Sequence, residues 1–120
     1  MIKIKRVFDE AESGDGYRIL VDRLWPRGLA KEKAKVNLWI KEVAPSDELR
    51  KWFSHDPAKW EDFKKRYEAE LKDKTVLLNQ IRRIEGEKET VTLLYGTKER
   101  EHNNAVALHL ILQKLAAEKK

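Results

Sequence analysis

Two short apolar runs, each followed by a polar loop, stand out along this chain. Residues 17–22 read YRILVD and lie between glycines on one side and Pro26 and Gly28 on the other, which predicts a buried strand. Residues 91–95 read VTLLY and predict a second buried strand, ended by Gly96. Charged and aromatic side chains crowd the loop after each run. Two strands that end in polar loops suggest one shared site.

The rest of the first half predicts weaker strands and a helical turn. Ile2 and Ile4 alternate with lysines, which predicts an amphipathic strand at a sheet edge. Residues 9–16 are too short for a parallel crossover, so strands one and two are either antiparallel or not neighbours. Residues 29–35 predict a helical turn, and the alternation over residues 36–41 predicts a short third strand.

Helix signals become clear from residue 44 onward. Ser46 is a natural N-cap for a short helix that should end near His55. Asp56 and Pro57 repeat this pattern at the start of a second helix, whose apolar face carries Trp60.

Two further helices follow. A third, over about residues 76–84, is predicted to be closed by Gly86 as its C-terminal cap. The last, over about residues 103–117, is apolar around most of its girth and should pack centrally against the sheet.

These elements predict a single α/β domain over residues 1–120. The expected architecture is a small layered domain with a short, mostly parallel sheet of three or four strands, flanked by about four helices. Strands two and four form its central parallel pair. Ligands of such sheets bind beyond the carboxyl ends of the strands, so a pocket is expected at the C-terminal edge of strands 17–22 and 91–95.

Composition excludes several classes of protein. The absence of cysteine excludes a disulfide framework, thiol catalysis and thiolate metal sites. No apolar run reaches the roughly 20 residues that cross a bilayer, and the N-terminus has no signal-peptide core, so we expect a cytoplasmic protein without a membrane partner. The net charge of +5 permits a polyanionic partner, although lysines and glutamates alternate in the helices. The composition indicates no oligomeric state.

The polar loops supply the candidate ligand-binding residues. Arg23 and Arg27 can form a guanidinium pair for phosphate or carboxylate, and Lys98 and Asn103 precede the last helix, whose free N–H groups favour an anion. Simpler interpretations stand beside these. Asp22 and Arg23 can be an ion pair that fixes the loop, and Asn103 or its neighbour can be only a helix cap.

Two residues are the only plausible proton-transfer groups at this edge, Asp22 and His102. A histidine titrates near neutrality, but a lone histidine on a loop is more often a surface residue. The three histidines show no metal-ligand spacing, so we expect no metal site, and the sequence indicates no cofactor.

Aromatic residues add a further possibility. Trp25 lies beside arginines and can stack a nucleobase, whereas Trp52 and Trp60 lie on helical faces and are expected in the core. Tyr95 can donate its phenolic hydroxyl at the strand end or simply complete the core.

Three segments together resemble a known family. The sequences GYRILVDRLWPRG at 16–28, WIKEVAPSDELRKWFSHDP at 39–57 and LLYGTKEREHNNA at 93–105 resemble the YeaO-like family of small bacterial and archaeal proteins, part of a wider group of domains of unknown function. The resemblance covers nearly the whole chain and names no activity. It implies that the polar residues of these segments belong to the family pattern: Asp22, Arg23, Trp25, Pro26, Arg27, Ser46, Arg50, Tyr95, Lys98 and Asn103.

The sequence thus favours a domain that binds a small anionic molecule of phosphate or nucleotide type, or an enzyme acting on one. The alternative is a nucleic-acid-binding or regulatory protein that uses its basic charge and Trp25. A third reading is a partner-binding module without chemistry, whose mark would be an exposed apolar patch.

Overall fold

A computed structural model describes residues 1–118. Its four strands are β1 (Ile2–Arg6), β2 (Tyr17–Leu20), β3 (Leu38–Trp39) and β4 (Val91–Tyr95). All pair in parallel, in the order β1-β4-β2-β3. The α/β prediction is confirmed: β1 lies at an edge, β2 and β4 are the central pair, and β1 and β2 are not neighbours.

Five α-helices accompany the sheet, and the first is a single turn. They are α1 (Lys31–Ala34), α2 (Asp47–Phe53), α3 (Trp60–Leu71), α4 (Thr75–Lys88) and α5 (Asn104–Glu118). None of the helices within residues 1–118 is long and apolar enough to cross a membrane.

Local capping chemistry places two of the helix starts. The Ser46 hydroxyl oxygen accepts the N–H of Leu49 at 3.1 Å, which confirms it as the N-cap of α2. The Asp56 carboxylate accepts the N–H of Ala58 at 3.0 Å and begins the 3₁₀ turn Pro57–Lys59, which leads into α3.

The prediction that Gly86 ends a helix is wrong. Helix α4 continues through it to Lys88, and Glu89, at φ 68°, is the residue that leaves the helical conformation. No atom lies within 4 Å of where a Cβ of Gly86 would be, so this glycine occupies an exposed helical position that other residues could fill.

Alternate residues of the central strands serve two different layers. Ile19 and Leu93 face the main core, to which helices α3, α4 and α5 contribute Phe63, Ile81 and Leu108. The next residues along the two strands, Leu20 and Leu94, face a smaller core under the loops, which they form with Val7 and Ala34. One face of the sheet is therefore covered by helices and the other by loop segments and α1.

A buried ion pair anchors the loop-covered face. The Arg18 guanidinium donates to the Asp15 carboxylate at 2.5 Å and to the carbonyl oxygens of Ala34 and Lys35 at the end of α1. Burial opposes the charge on Asp15, but the N–H of Glu12 and the neighbouring cations more than offset this and lower its pKa. Arg18 thus fixes α1 to β2.

Candidate functional site

The carboxyl ends of β2 and β4 lie side by side, and the chain leaves them over opposite faces. After β2 it crosses the loop-covered face, where Ala34 of α1 packs on Leu20. After β4 it enters α5 on the helical face, where Leu108 joins the main core. A parallel sheet opens a crevice at such a switch in direction, and ligands of α/β domains bind there. The sequence predicts a ligand site at this same edge of the sheet.

Asp22 occupies the crevice. Its Oδ2 accepts the backbone N–H of Gly96 at 2.9 Å, and its Oδ1 accepts the side-chain amide of Asn104 at 3.0 Å. The same amide donates to the carbonyl oxygen of Val21 at 3.0 Å. Both carboxylate oxygens therefore bridge the end of β2 to the end of β4 and to the start of α5.

Burial raises the pKa of the Asp22 carboxyl. The donors on Asn104 and Gly96 oppose this rise because they stabilise the charged form, and so do the positive charges of Arg50 and His55. Arg50 and His55 are thus near enough to the crevice to act on its carboxylate, although they belong to α2 and the residues just after it.

Gly96 permits the close packing of the two strand ends. A Cβ on this residue would lie 3.0 Å from Oδ2 of Asp22 and 3.1 Å from Cγ of Pro26, so the ring of Pro26 lies directly against the Gly96 backbone. The crevice is therefore filled by the protein's own side chains.

Arg23 is held by the segment before α2. Its Nε donates to the carbonyl oxygen of Pro45 at 3.2 Å and its Nη2 to that of Ala44 at 3.1 Å. Lys74 lies close by, and its pKa is lowered by burial and by the charge of Arg23. The guanidinium predicted to bind a ligand thus fixes the segment that leads into α2.

Two predicted cations lie exposed at the rim. Arg27 directly follows Pro26, and Lys98 lies two residues beyond Gly96, so both extend from backbone segments in mutual contact. Neither side chain forms a hydrogen bond or ion pair with any other residue of 1–118. Arg50 adds a third exposed cation, whose ion pair is a long one, 3.4 Å to Asp47.

A pair of tryptophans borders the same rim. The rings of Trp25 and Trp39 meet edge to face with centroids 5.6 Å apart. Trp25 is half-buried and donates its indole N–H to the carbonyl oxygen of Leu29 at 2.9 Å. Trp39 is 37% exposed and donates its own to the carbonyl oxygen of Asp22 at 2.7 Å. The aromatic residue next to Asp22 that solvent reaches most readily is therefore Trp39.

The remaining predicted residues have structural partners. His102 Nδ1 lies 3.1 Å from Glu99 Oε1, and its ring packs edge to face on Trp60. Buried Asn103 donates to the Glu99 carbonyl oxygen and accepts the N–H of Val106, which makes it the N-cap of α5. Tyr95 is 2% exposed; burial raises the pKa of its phenol, and the charge of Arg100 partly offsets the rise.

Sequence reasoning considered Asn104 only as an alternative helix cap and gave no role to Trp39. Asn103 caps α5, whereas the side chain of Asn104 points to the end of β2. Which of the two adjacent asparagines takes which role depends on the residue at which the helix begins, and the sequence does not fix that residue. Trp39 is exposed because β3 is an edge strand of two residues. The alternation of apolar and polar residues over residues 36–41 gave a weak indication that Trp39 lies on an exposed strand face.

Residues 1–118 also form two cavities. One cavity of about 430 Å³ lies between α4 and α5, lined by residues such as Leu78 and Leu115. Another, of about 560 Å³, lies between residues 7–11 and 28–35. Across residues 1–118, no three acidic or histidine side chains cluster in a way that could hold a metal ion.

Comparison with known proteins identifies the family. The model of the inactive DUF488-N3 subclade matches residues 1–120. The chain belongs to this family. It is 44% identical over 107 residues to the uncharacterized protein YeaO of Escherichia coli K12, covering 89% of this chain and 92% of that protein. It is 37% identical over 111 residues to an uncharacterized protein of Mycobacterium tuberculosis H37Rv, covering 92% of each. No solved structure matches significantly.

The matches confirm the YeaO-like resemblance carried by the three sequence segments. They span the strands, the helices and both polar loops of the candidate edge, so the DUF488-N3 match concerns the whole domain.

Proposed function

We propose that this DUF488-N3 domain binds a small anionic ligand of phosphate or nucleotide type at the rim of β2 and β4, and that it does so without catalysis. The observation that carries the proposal is the pair of exposed cations, Arg27 and Lys98. They extend from the two loops that meet where Pro26 packs on Gly96, and neither has a partner within residues 1–118.

The chemistry of the two cations suits an anion with several oxygens. The guanidinium of Arg27 offers a planar fork that matches phosphate or carboxylate, and the ammonium of Lys98 adds a point charge. Arg50 at the same rim is held only by a long, exposed contact with Asp47, so its charge is also available. An anion between these groups would relieve their mutual repulsion.

Binding is favoured over catalysis because the two candidate proton-transfer groups are occupied. Both oxygens of Asp22 accept structural hydrogen bonds, and His102 is paired with Glu99 and packed on Trp60. The description of the family as an inactive subclade agrees with this.

The test is a thermal-shift titration with inorganic pyrophosphate at low salt. We expect a saturable rise in the midpoint of unfolding for the wild type, lost in the double variant Arg27→Ala/Lys98→Ala. The matched control is Lys72→Ala/Arg83→Ala, which removes the same charge from two exposed positions, the turn after α3 and helix α4, remote in sequence from both rim loops. No shift in the wild type, or equal loss of the shift in both double variants, would contradict the proposal.

A further inference from the structure

Trp39 is partly exposed at the rim, and its one polar side-chain atom, the indole nitrogen, already has a hydrogen-bond partner. The indole N–H donates to the carbonyl oxygen of Asp22 at 2.7 Å, and the ring rests edge to face on Trp25. Still, 37% of the residue is exposed. The exposed part of Trp39 therefore belongs to a ring whose orientation is fixed by a hydrogen bond and an aromatic contact.

Such a surface lowers the cost of binding a flat ligand. A side chain that is already ordered loses little conformational entropy when a ligand stacks on it. The hydrogen bond to Asp22 and the contact with Trp25 supply this order, and Trp25 is in turn held through its bond to Leu29.

Positive charge accompanies the ring. The ammonium of Lys41 lies 5.7 Å from the centroid of Trp39, and Arg27 follows two residues after Trp25, whose ring touches Trp39. A fixed aromatic face beside exposed cations is the chemistry that proteins use to stack a base and pair with its phosphate.

We infer that the anionic ligand carries a nucleobase, which stacks on Trp39 while Lys41 and Arg27 pair with its phosphate. This inference rests on the proposed function and names its ligand class. Trp25 does not take this role, because it is half-buried and packs on the small core with Val7 and Leu20.

The test compares adenosine monophosphate with ribose 5-phosphate, which has the same sugar and phosphate but no base. By calorimetric titration we expect the wild type to bind the nucleotide about tenfold more tightly, as one stacked base would give. In Trp39→Leu the two ligands should bind equally. The matched control is Trp52→Leu, because Trp52 lies on α2, is half-buried and packs against the main core.

If Trp39→Leu fails to fold, tryptophan fluorescence provides a second test of stacking on Trp39. Adenosine monophosphate should quench the tryptophan fluorescence of the wild type, and Trp39→Phe, which keeps a ring, should still bind it with most of that quenching lost. Ribose 5-phosphate should quench neither protein.

The outcomes separate this inference from the proposed function. Equal binding of both ligands by the wild type leaves anion binding intact and overturns the nucleobase. Binding of neither ligand overturns the nucleobase inference alone if pyrophosphate still stabilises the wild type, and overturns both proposals if it does not. Equal loss of preference in Trp52→Leu also overturns the role of Trp39. A single-stranded oligoadenylate identifies the source of the base: tighter, Trp39-dependent binding that weakens steeply with salt indicates nucleic acid, and preference for the mononucleotide indicates a free nucleotide.

Discussion

The side-chain amide of Asn104 and the carboxylate of Asp22 lie 3.0 Å apart, and their hydrogen bond ties the first turn of α5 to the end of β2. The amide also donates to the carbonyl oxygen of Val21. Both acceptors lie at the end of a central strand, so one side chain fixes how α5 leaves the sheet.

Replacing Asn104 with alanine should therefore lower the free energy of unfolding by about 2 kcal/mol, because two partly buried acceptors lose their donor. The pKa of Asp22 should rise further, since a group that stabilises its charged form is gone. Urea denaturation at pH 7 measures the loss. The control Asn79→Ala, at an exposed position of α4, should stay within about 0.5 kcal/mol of the wild type. An equally small effect at Asn104 would show that the bridge does not hold α5.

Two glycine substitutions should act in opposite directions. Gly96→Ala places a methyl group 3.0 Å from the Asp22 carboxylate and 3.1 Å from Pro26, and should cost about 1 to 3 kcal/mol. Gly86→Ala lies within α4 with no atom near its Cβ, and should stabilise the protein by up to about 1 kcal/mol through helix propensity. Thermal unfolding of both variants provides the measurement, and effects of the same sign would contradict the packing described.

The Arg23→Ala variant separates structural support from ligand binding. It removes two hydrogen bonds to the carbonyl oxygens of Ala44 and Pro45, so we expect the free energy of unfolding to fall by about 2 kcal/mol. Arg23→Lys should not restore it, because an ammonium cannot reproduce the planar fork. Pyrophosphate should still raise the midpoint of unfolding. Unchanged stability with loss of that rise would instead make Arg23 the ligand-binding residue that the sequence predicted.

His109 should make stability depend on pH. Its Nδ1 is buried without a hydrogen-bond partner among residues 1–118, and burial lowers its pKa, with Arg82 adding to the effect and Glu85 opposing it. The unfolded chain, with an ordinary histidine pKa of about 6.5, then binds the proton more readily, so stability is lost as pH falls through that value.

The variant His109→Leu removes both the orphaned nitrogen and the titration. It should be more stable than the wild type by about 1 kcal/mol at pH 7.5, and its advantage should grow at pH 5. Chemical denaturation at the two pH values measures this. A difference that stays constant between them would exclude His109 as the source of the pH dependence.

Local chemistry explains which parts of the fold were predictable. The run Ile19 to Val21 between turn residues identified β2, and Ser46 and Asp56 carried their own capping oxygens. Gly86 misled because a glycine is favoured at a helix end but is also tolerated, at a cost in helix propensity, in an exposed helix interior. The choice between the two depends on how far α4 extends along the sheet, which neighbouring residues do not encode.

The candidate site was harder to predict because partners meet across long stretches of chain. The sequence placed Asp22 at a strand end, but it could not show that Asn104, 82 residues away, would bind it. It predicted Trp25 as the stacking residue because arginines lie beside it in the sequence. Trp39 is instead the more exposed ring, because β3 is a short edge strand. Exposure of this kind is a property of the assembled sheet.

The strand order has a consequence for how the protein is made. β4 lies between β1 and β2, with Ile2 opposite Val91, so β1 cannot join the sheet until β4 has been synthesised. On the ribosome, only β2 and β3 can pair before β4 emerges. A nascent chain stopped before Val91 exposes β1 and β2 without their common partner, and the sheet closes only after β4 has been synthesised.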